Sequence, residues 1–184
     1  KGVAWIAFSH DRDAASAKAI INALAVRKFM PEAHLLLAEI ADYEGDQTEK
    51  LRHLKKFKSL VSTPRYRSMY HKYLAMLEAE EFNNAAGALK IAGEEIVNRP
   101  TPQSYDLLAW GYYHQKEFAK ALAIASQKVE HQNYEPDALY HLGMIYHANG
   151  DNAKALQYLT TALESEFELG PALSRKIRTA IQNI

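Results

Sequence analysis

Five prolines divide the chain at nearly even intervals. Pro31, Pro64, Pro102, Pro136 and Pro171 lie 33, 38, 34 and 35 residues apart. Proline suits the first turn of a helix, because the N–H it lacks would have no partner there. Thr63 and Thr101 stand directly before two of these prolines and offer an N-cap. The spacing predicts that each proline restarts a helix. A recurring period of this length points to a stack of similar units, none of which can bury its apolar face alone; the alternative is an unrelated helical bundle with coincidental spacing.

The apolar pattern between the prolines agrees with that period. In residues 134–162, Leu139, Leu142 and Tyr146 recur at helical spacing, and Gly143 beside Leu142 leaves room for a neighbouring helix. Gly150 is placed to end the first helix in a left-handed conformation and Asp151 to cap the second. Ala155, Leu156, Leu159 and Ala162 form the stripe expected on that second helix. Earlier in the chain, Tyr105, Leu108, Ala109 and Tyr112 occupy the same places, with Lys116-Glu117-Phe118 at the bend and Ala121, Leu122 and Ala125 beyond it. Residues 31–46 repeat the scheme with Leu37, Ala38 and Gly45-Asp46, followed by Leu51, Leu54 and Phe57. Tyr70, Tyr73, Leu74 and Leu77, then Ala86 and Leu89, make a weaker copy. Residues 4–8 with Ala17, Ile21 and Leu24 make a copy whose first helix is short.

This pattern of a bulky residue, Leu-Gly or Leu-Ala, Tyr, a Gly-Asp bend and an Ala-rich second helix resembles the tetratricopeptide repeat family. The resemblance implies an all-α fold: a right-handed α-solenoid of about five antiparallel helix hairpins with a C-terminal capping helix. The units are expected at 1–30, 31–66, 67–101, 102–135 and 136–169, with the cap at 171–183. The third unit departs most, having Glu80-Glu81-Phe82-Asn83-Asn84 at its bend and Gly87 and Gly93 within its second helix. In the cap, Leu173, Ile177 and Ala180 are expected to cover the last unit while Arg175, Lys176 and Arg178 face water, because a stack needs a polar outer face at each end.

Composition narrows the function. Lys+Arg and Asp+Glu both number 22, so a global nucleic-acid footprint is not expected. There is no Cys, which excludes disulfide scaffolds, Cys-based zinc sites and thiol chemistry. No apolar run approaches the ~18–20 residues that span a bilayer. Residues 3–8 have no basic leader or cleavage signature, so they do not read as a signal peptide. The chain starts at Lys1, and it is expected to be a piece of a longer protein.

No phosphate-binding glycine loop, GxSxG or HExxH occurs. His141 and His147 are six apart rather than an i,i+4 metal pair, and no catalytic, metal or cofactor site is expected. Glu80-Glu81 and Glu94-Glu95 are adjacent pairs and are expected on solvated faces. The resemblance implies instead a ligand groove lined by the first helices. It places Trp110, Tyr113 and His114 there, with Asp106 at the edge, together with Tyr140, His141, Met144 and His147. Leu35, Glu39, Asp42 and Tyr43 of the second unit and His71, Lys72 and Glu78 of the third hold the matching positions. Exposed aromatics with Met are typical of recognition surfaces. The basic clamp with which one subclass holds the C-terminal carboxylate of chaperones is absent.

Residues 31–49 carry six acids, whereas Lys50, Arg52, Lys55, Lys56, Lys58, Arg65, Arg67 and Lys72 make a basic stretch without an acid. That stretch suits either a solvated face or weak contact with an anionic surface. The expected function is a non-catalytic scaffold or adaptor holding a protein or peptide ligand in its groove. The alternative is the repeat region of a larger enzyme or assembly complex that recruits its substrate. Self-association through open ends is a third reading.

Overall fold

The computed structural model describes residues 1–27, 30–66 and 68–184, and every regular element among them is helical. α1 (Gly2–Trp5) runs through a π-helical turn at Ile6–His10 toward α2 (Ala14–Arg27). Four helix pairs follow: α3 (Pro31–Glu44) with α4 (Gln47–Val61), α5 (His71–Glu80) with α6 (Ala85–Asn98), α7 (Pro102–His114) with α8 (Phe118–Lys128), and α9 (Pro136–Ala148) with α10 (Asn152–Leu163). α11 (Glu166–Gln182) is broken at Gly170 and resumes at Pro171. The chain forms two compact units, Lys1–Arg67 with Glu166–Lys176, and Ser68–Ser165 with Ile177–Ile184.

Four prolines act as the spacing predicts: three stand in the first turn of α3, α7 and α9, and Pro171 opens the part of α11 that follows the break at Gly170. Thr101 caps α7 by accepting from the Ser104 N–H. Pro64 is the exception, since α4 ends at Val61 and α5 begins at His71. Thr63 is already engaged there: its hydroxyl donates to the Leu60 carbonyl at 3.2 Å and closes α4 instead of opening a new helix.

The bends share one backbone device. Arg12, Gly45, Asn83, Lys116 and Gly150 have φ of 58°, 83°, 49°, 63° and 85°. The N–H of each following residue turns back to the helix just ended: Asp13 to Ala7 O, Asp46 to Ala41 O, Asn84 to Glu78 O, Glu117 to Tyr112 O and Asp151 to Tyr146 O, at 2.7–3.0 Å. These bonds satisfy carbonyls that a helix end leaves open. Asp46, Asn84 and Asp151 then accept from the backbone N–H of Glu49, Gly87 and Lys154 to start the next helix. At the last bend Asn149 adds a tie, its amide donating to the carbonyls of Ile145 (2.8 Å) and Phe118 (3.0 Å).

In the first unit, Phe8, Ala17, Ile21, Ala33, Leu36 and Ile40 form a continuous core with Trp5 and Tyr43 at its edge. The residues up to Lys176 of α11 belong to this unit. Arg175 and Lys176 are exposed as expected, yet Arg175 also donates to the carbonyls of Asp42 and Tyr43 at 3.0 and 3.2 Å. In the second unit the small residues admit close helix pairs: Ala109, Ala121, Ala138, Ala155 and Ala162 have no exposed surface. On α10, Leu156 is 37% exposed, and Tyr158 takes its expected place beside Leu159 in the core. Residues 155, 158, 159 and 162 share one helical face, whereas 156 is turned about 100° from 155.

Gly143 lies where α9 meets α10. A Cβ there would stand 2.6 Å from Leu159 Cγ and 3.2 Å from the Ala155 carbonyl oxygen. Gly93 in α6 has nothing within 4 Å of that position. Alanine in place of glycine within a helix gains about 1 kcal/mol, and overpacking costs about 1–3 kcal/mol. Gly93→Ala should therefore raise the urea midpoint, and Gly143→Ala should lower it. Equal shifts in the two variants would show that the α9–α10 contact is not close-packed at Gly143.

Candidate functional site

The side chains singled out above lie on α7 and α9 of the second unit. Trp110, Tyr113 and His114 follow i, i+3, i+4 spacing on α7, and Tyr140, His141, Met144 and His147 lie on α9. Five of them form a ring cluster centred on Trp110. His141 stacks on it at 4.1 Å and 15°, and Tyr113 at 4.6 Å and 6°. His114 and Tyr140 meet it edge-on at 4.6 and 5.6 Å. His147 is tied elsewhere, its Nδ1 lying 2.9 Å from Asn152 Oδ1.

Charged groups hold the cluster in place. The Trp110 indole N–H donates to Glu80 Oε1 at 2.8 Å. His141 Nδ1 lies 2.9 Å from Asp106 Oδ2, with both residues buried. Burial alone would lower the His141 pKa, but Asp106, reinforced by Asp137 and Glu80, holds it above the ordinary value. A protonated imidazole stacked on an indole also gains cation–π attraction. Lys72 on α5 binds Glu135 and Asp137 at 2.7 and 2.8 Å. Burial works against its charge, yet the two carboxylates raise its pKa. Burial likewise works against ionised Asp137, which His141 and Lys72 nevertheless hold below the usual carboxylate value. Alternating charges thus bind α5, α7 and α9 together.

His114 is the opposite case. Its Nε2 is buried without a hydrogen-bond partner, and burial followed by the charge of His141 pushes its pKa down to about 4. Groove histidines with ordinary values would titrate between roughly pH 5.5 and 7.5. That expectation is corrected for His114, which stays neutral through that range, and for His141, which is shifted upward.

The structure divides the candidate residues by exposure. Trp110 and His141 are 3% and 1% exposed and lie under the surface, and Asp106 is buried with them. Tyr113, His114, Tyr140, Met144 and His147 are half-buried and carry the outward-facing part. Of the carboxylates assigned to solvent, Glu80 is exposed as expected and Glu95 is not. Glu80 anchors Trp110, and Glu95 is 3% exposed, with His71 Nδ1 2.9 Å and Arg99 Nη2 2.6 Å from its oxygens. Of the third-unit positions, Glu78 is buried and accepts from the Asn84 amide. In sequence Glu95 is masked by the adjacent Glu94, which does face solvent.

The basic stretch is partly neutralised. Lys50 pairs with Asp42 at 3.2 Å, Arg52 with Glu49 at 2.6 Å, and Lys72 with Glu135 and Asp137. Lys55 and Lys56 are exposed on α4, and Arg65 lies 5.7 Å from the Tyr66 ring. Arg67 lies outside the described residues. Among the described residues, no cluster of three His, Asp or Glu side chains is placed to hold a metal, and no helix is long and apolar enough to cross a membrane.

Residues 136–166 match the tetratricopeptide repeat profile. The fold is similar to that in the crystal structure of PilW, a widely conserved type IV pilus biogenesis factor, with a TM-score of 0.57 and 19% identity. That likeness covers 97% of this chain and 83% of PilW. No curated protein matches the chain in sequence.

Two outcomes follow from the burial and charge of the cluster. Trp110→Ala should cost about 3–5 kcal/mol in urea unfolding, as emptied aromatic sites do, and an unchanged midpoint would place Trp110 outside the core. The second outcome concerns pH. Unfolded His114 takes its proton near 6.5, whereas the folded residue does so only near 4. Across that interval the unfolded chain binds more protons, so acid weakens the fold. His141 has the opposite sign, and its contribution is lost as pH rises through its native value. His114→Gln should therefore lose stability less steeply than the parent between pH 6.5 and 4, measured as Tm against pH.

Proposed function

We propose that this chain, a tetratricopeptide repeat protein, is a non-catalytic interaction scaffold that holds a protein or peptide segment against the α5–α7–α9 face of its second unit. The observation that carries this reading is the layered arrangement on α7 and α9. Trp110 and His141 form a rigid, charge-anchored floor, and Tyr113, His114, Tyr140 and Met144 stand half-exposed above it. Side chains held rigidly before binding lose little entropy when a ligand arrives. Tyrosine over an apolar base is also a residue type enriched among binding hot spots. His147, at the end of α9, extends the same helix face.

The likeness to PilW supports work on protein assemblies rather than on a small substrate, because PilW is a pilus biogenesis factor. It favours the assembly-complex form of the alternative over recruitment within an enzyme.

The test is photo-cross-linking from position 144 in cells, with position 127 on α8 as the control. A discrete protein adduct is expected from 144 and none from 127. For the protein so identified, Tyr113→Ala and Tyr140→Ala should each weaken calorimetric affinity by about 2 kcal/mol, roughly thirtyfold. Gln127→Ala should leave it unchanged. Parent-like affinity in folded Tyr113→Ala and Tyr140→Ala chains would place the binding surface elsewhere.

A further inference from the structure

In the first unit, residues 166–176 lie against α1 and α3. They cover Glu39, Asp42 and Tyr43, positions that the resemblance to tetratricopeptide repeats places in a ligand groove. The contacts are those of a bound peptide. The Phe167 carbonyl accepts two hydrogen bonds, from the Trp5 indole N–H at 3.0 Å and the Ser9 hydroxyl at 2.7 Å. The Phe167 ring meets Trp5 edge-on at 6.5 Å. Arg12 holds the Glu166 carboxylate at 2.5 Å. Leu169, Pro171 and Ala172 are buried. At the far end Arg175 donates to the carbonyls of Asp42 and Tyr43, in the last turn of α3, where such groups need outside partners.

Gly170 marks the tightest point. Its φ is 77°, and a Cβ on it would run into the Glu39 carboxylate and stand 2.8 Å from Trp5 Cη2. The segment also leaves one group unserved. Glu39 Oε1 is buried there and has no hydrogen-bond partner. Burial, followed by the charge of Asp42, pushes the Glu39 pKa up to about 8, with Lys176 acting the other way. A buried polar atom without a partner is costly, and the chain's own segment sets a glycine Cα against it instead of a donor. The internal occupant therefore fits the groove in shape but is incompletely matched in chemistry.

We propose that the α1–α3 face is a second peptide-binding site, closed by the chain's own residues 166–176 and opened by a partner protein segment of the same chemistry: an acidic residue, an aromatic residue and a Leu-Gly-Pro turn. A partner that places an N–H donor at Glu39 outcompetes the internal segment there. The α5–α7–α9 face takes no part in this site, so the two readings stand or fall separately.

The test uses a labelled peptide of residues 165–177, titrated into the full-length parent chain and into Gly170→Val. An attached segment competes at high effective concentration, so Gly170→Val, which cannot seat its own segment, should bind the peptide at least about tenfold more tightly than the parent. Adding Trp5→Ala and Ser9→Ala to Gly170→Val should abolish the binding. Glu166→Lys with Arg175→Glu opens the site without altering the groove, and it serves as the second opened chain should Gly170→Val lose helical content. Equal affinity for the parent and the opened chain, or no binding to an opened chain of native helical content, would overturn the proposal.

Discussion

Each hairpin depends on one residue held in a left-handed conformation. That residue reverses the chain, returns the next N–H to the helix just finished, and delivers the following helix at a fixed angle. Two of the five positions are glycine and three are Arg12, Asn83 and Lys116, which bear the conformation at some cost. The cost is met because the recovered hydrogen bonds recur in all five bends. The small residues at helix contacts and the alignment of α5, α7 and α9 follow from that geometry. An altered bend would displace the second helix of its pair and every contact made by it.

The second unit adds polar specificity to this frame. Glu130 accepts from the hydroxyls of Tyr146 and Tyr158 at 2.6 Å and from Lys154 at 3.0 Å. On the other side of α9, Asp106, His141, Asp137 and Lys72 form a second chain of opposite charges. Nonpolar packing alone tolerates sliding of one helix on the next, whereas buried charges lose their partners when register shifts. α9 is therefore fixed on both flanks, which suits a helix carrying three of the five outward-facing candidate residues.

The regular part of the fold was legible in sequence because it rests on periodic residues. Pro31, Pro102 and Pro136, the Gly-Asp bends and the apolar spacing on α9 each act locally. Pro64 misled because Thr63 bonds backward to Leu60, and side-chain direction is not written in composition. The candidate residues lie on α7 and α9, but their depth was not legible. Whether Trp110 faces solvent depends on Glu80, thirty positions earlier and on another helix. The covering of Glu39 by residues 166–176 is a long-range contact between stretches with no shared local pattern.

Asn149 and Gly150 form a dipeptide with its own chemistry. An asparagine followed by glycine ages by attack of the glycine nitrogen on the side-chain amide carbon, closing a succinimide and releasing ammonia. The last bend blocks both partners. The Asn149 amide is held by the carbonyls of Ile145 and Phe118, and the Gly150 N–H is engaged by the His147 carbonyl at 2.9 Å. Closure of the ring therefore requires the α9–α10 bend to come apart first. Isoaspartate accumulating at position 149 would act as a clock, recording in a covalent mark how often that hairpin has opened over the lifetime of the molecule.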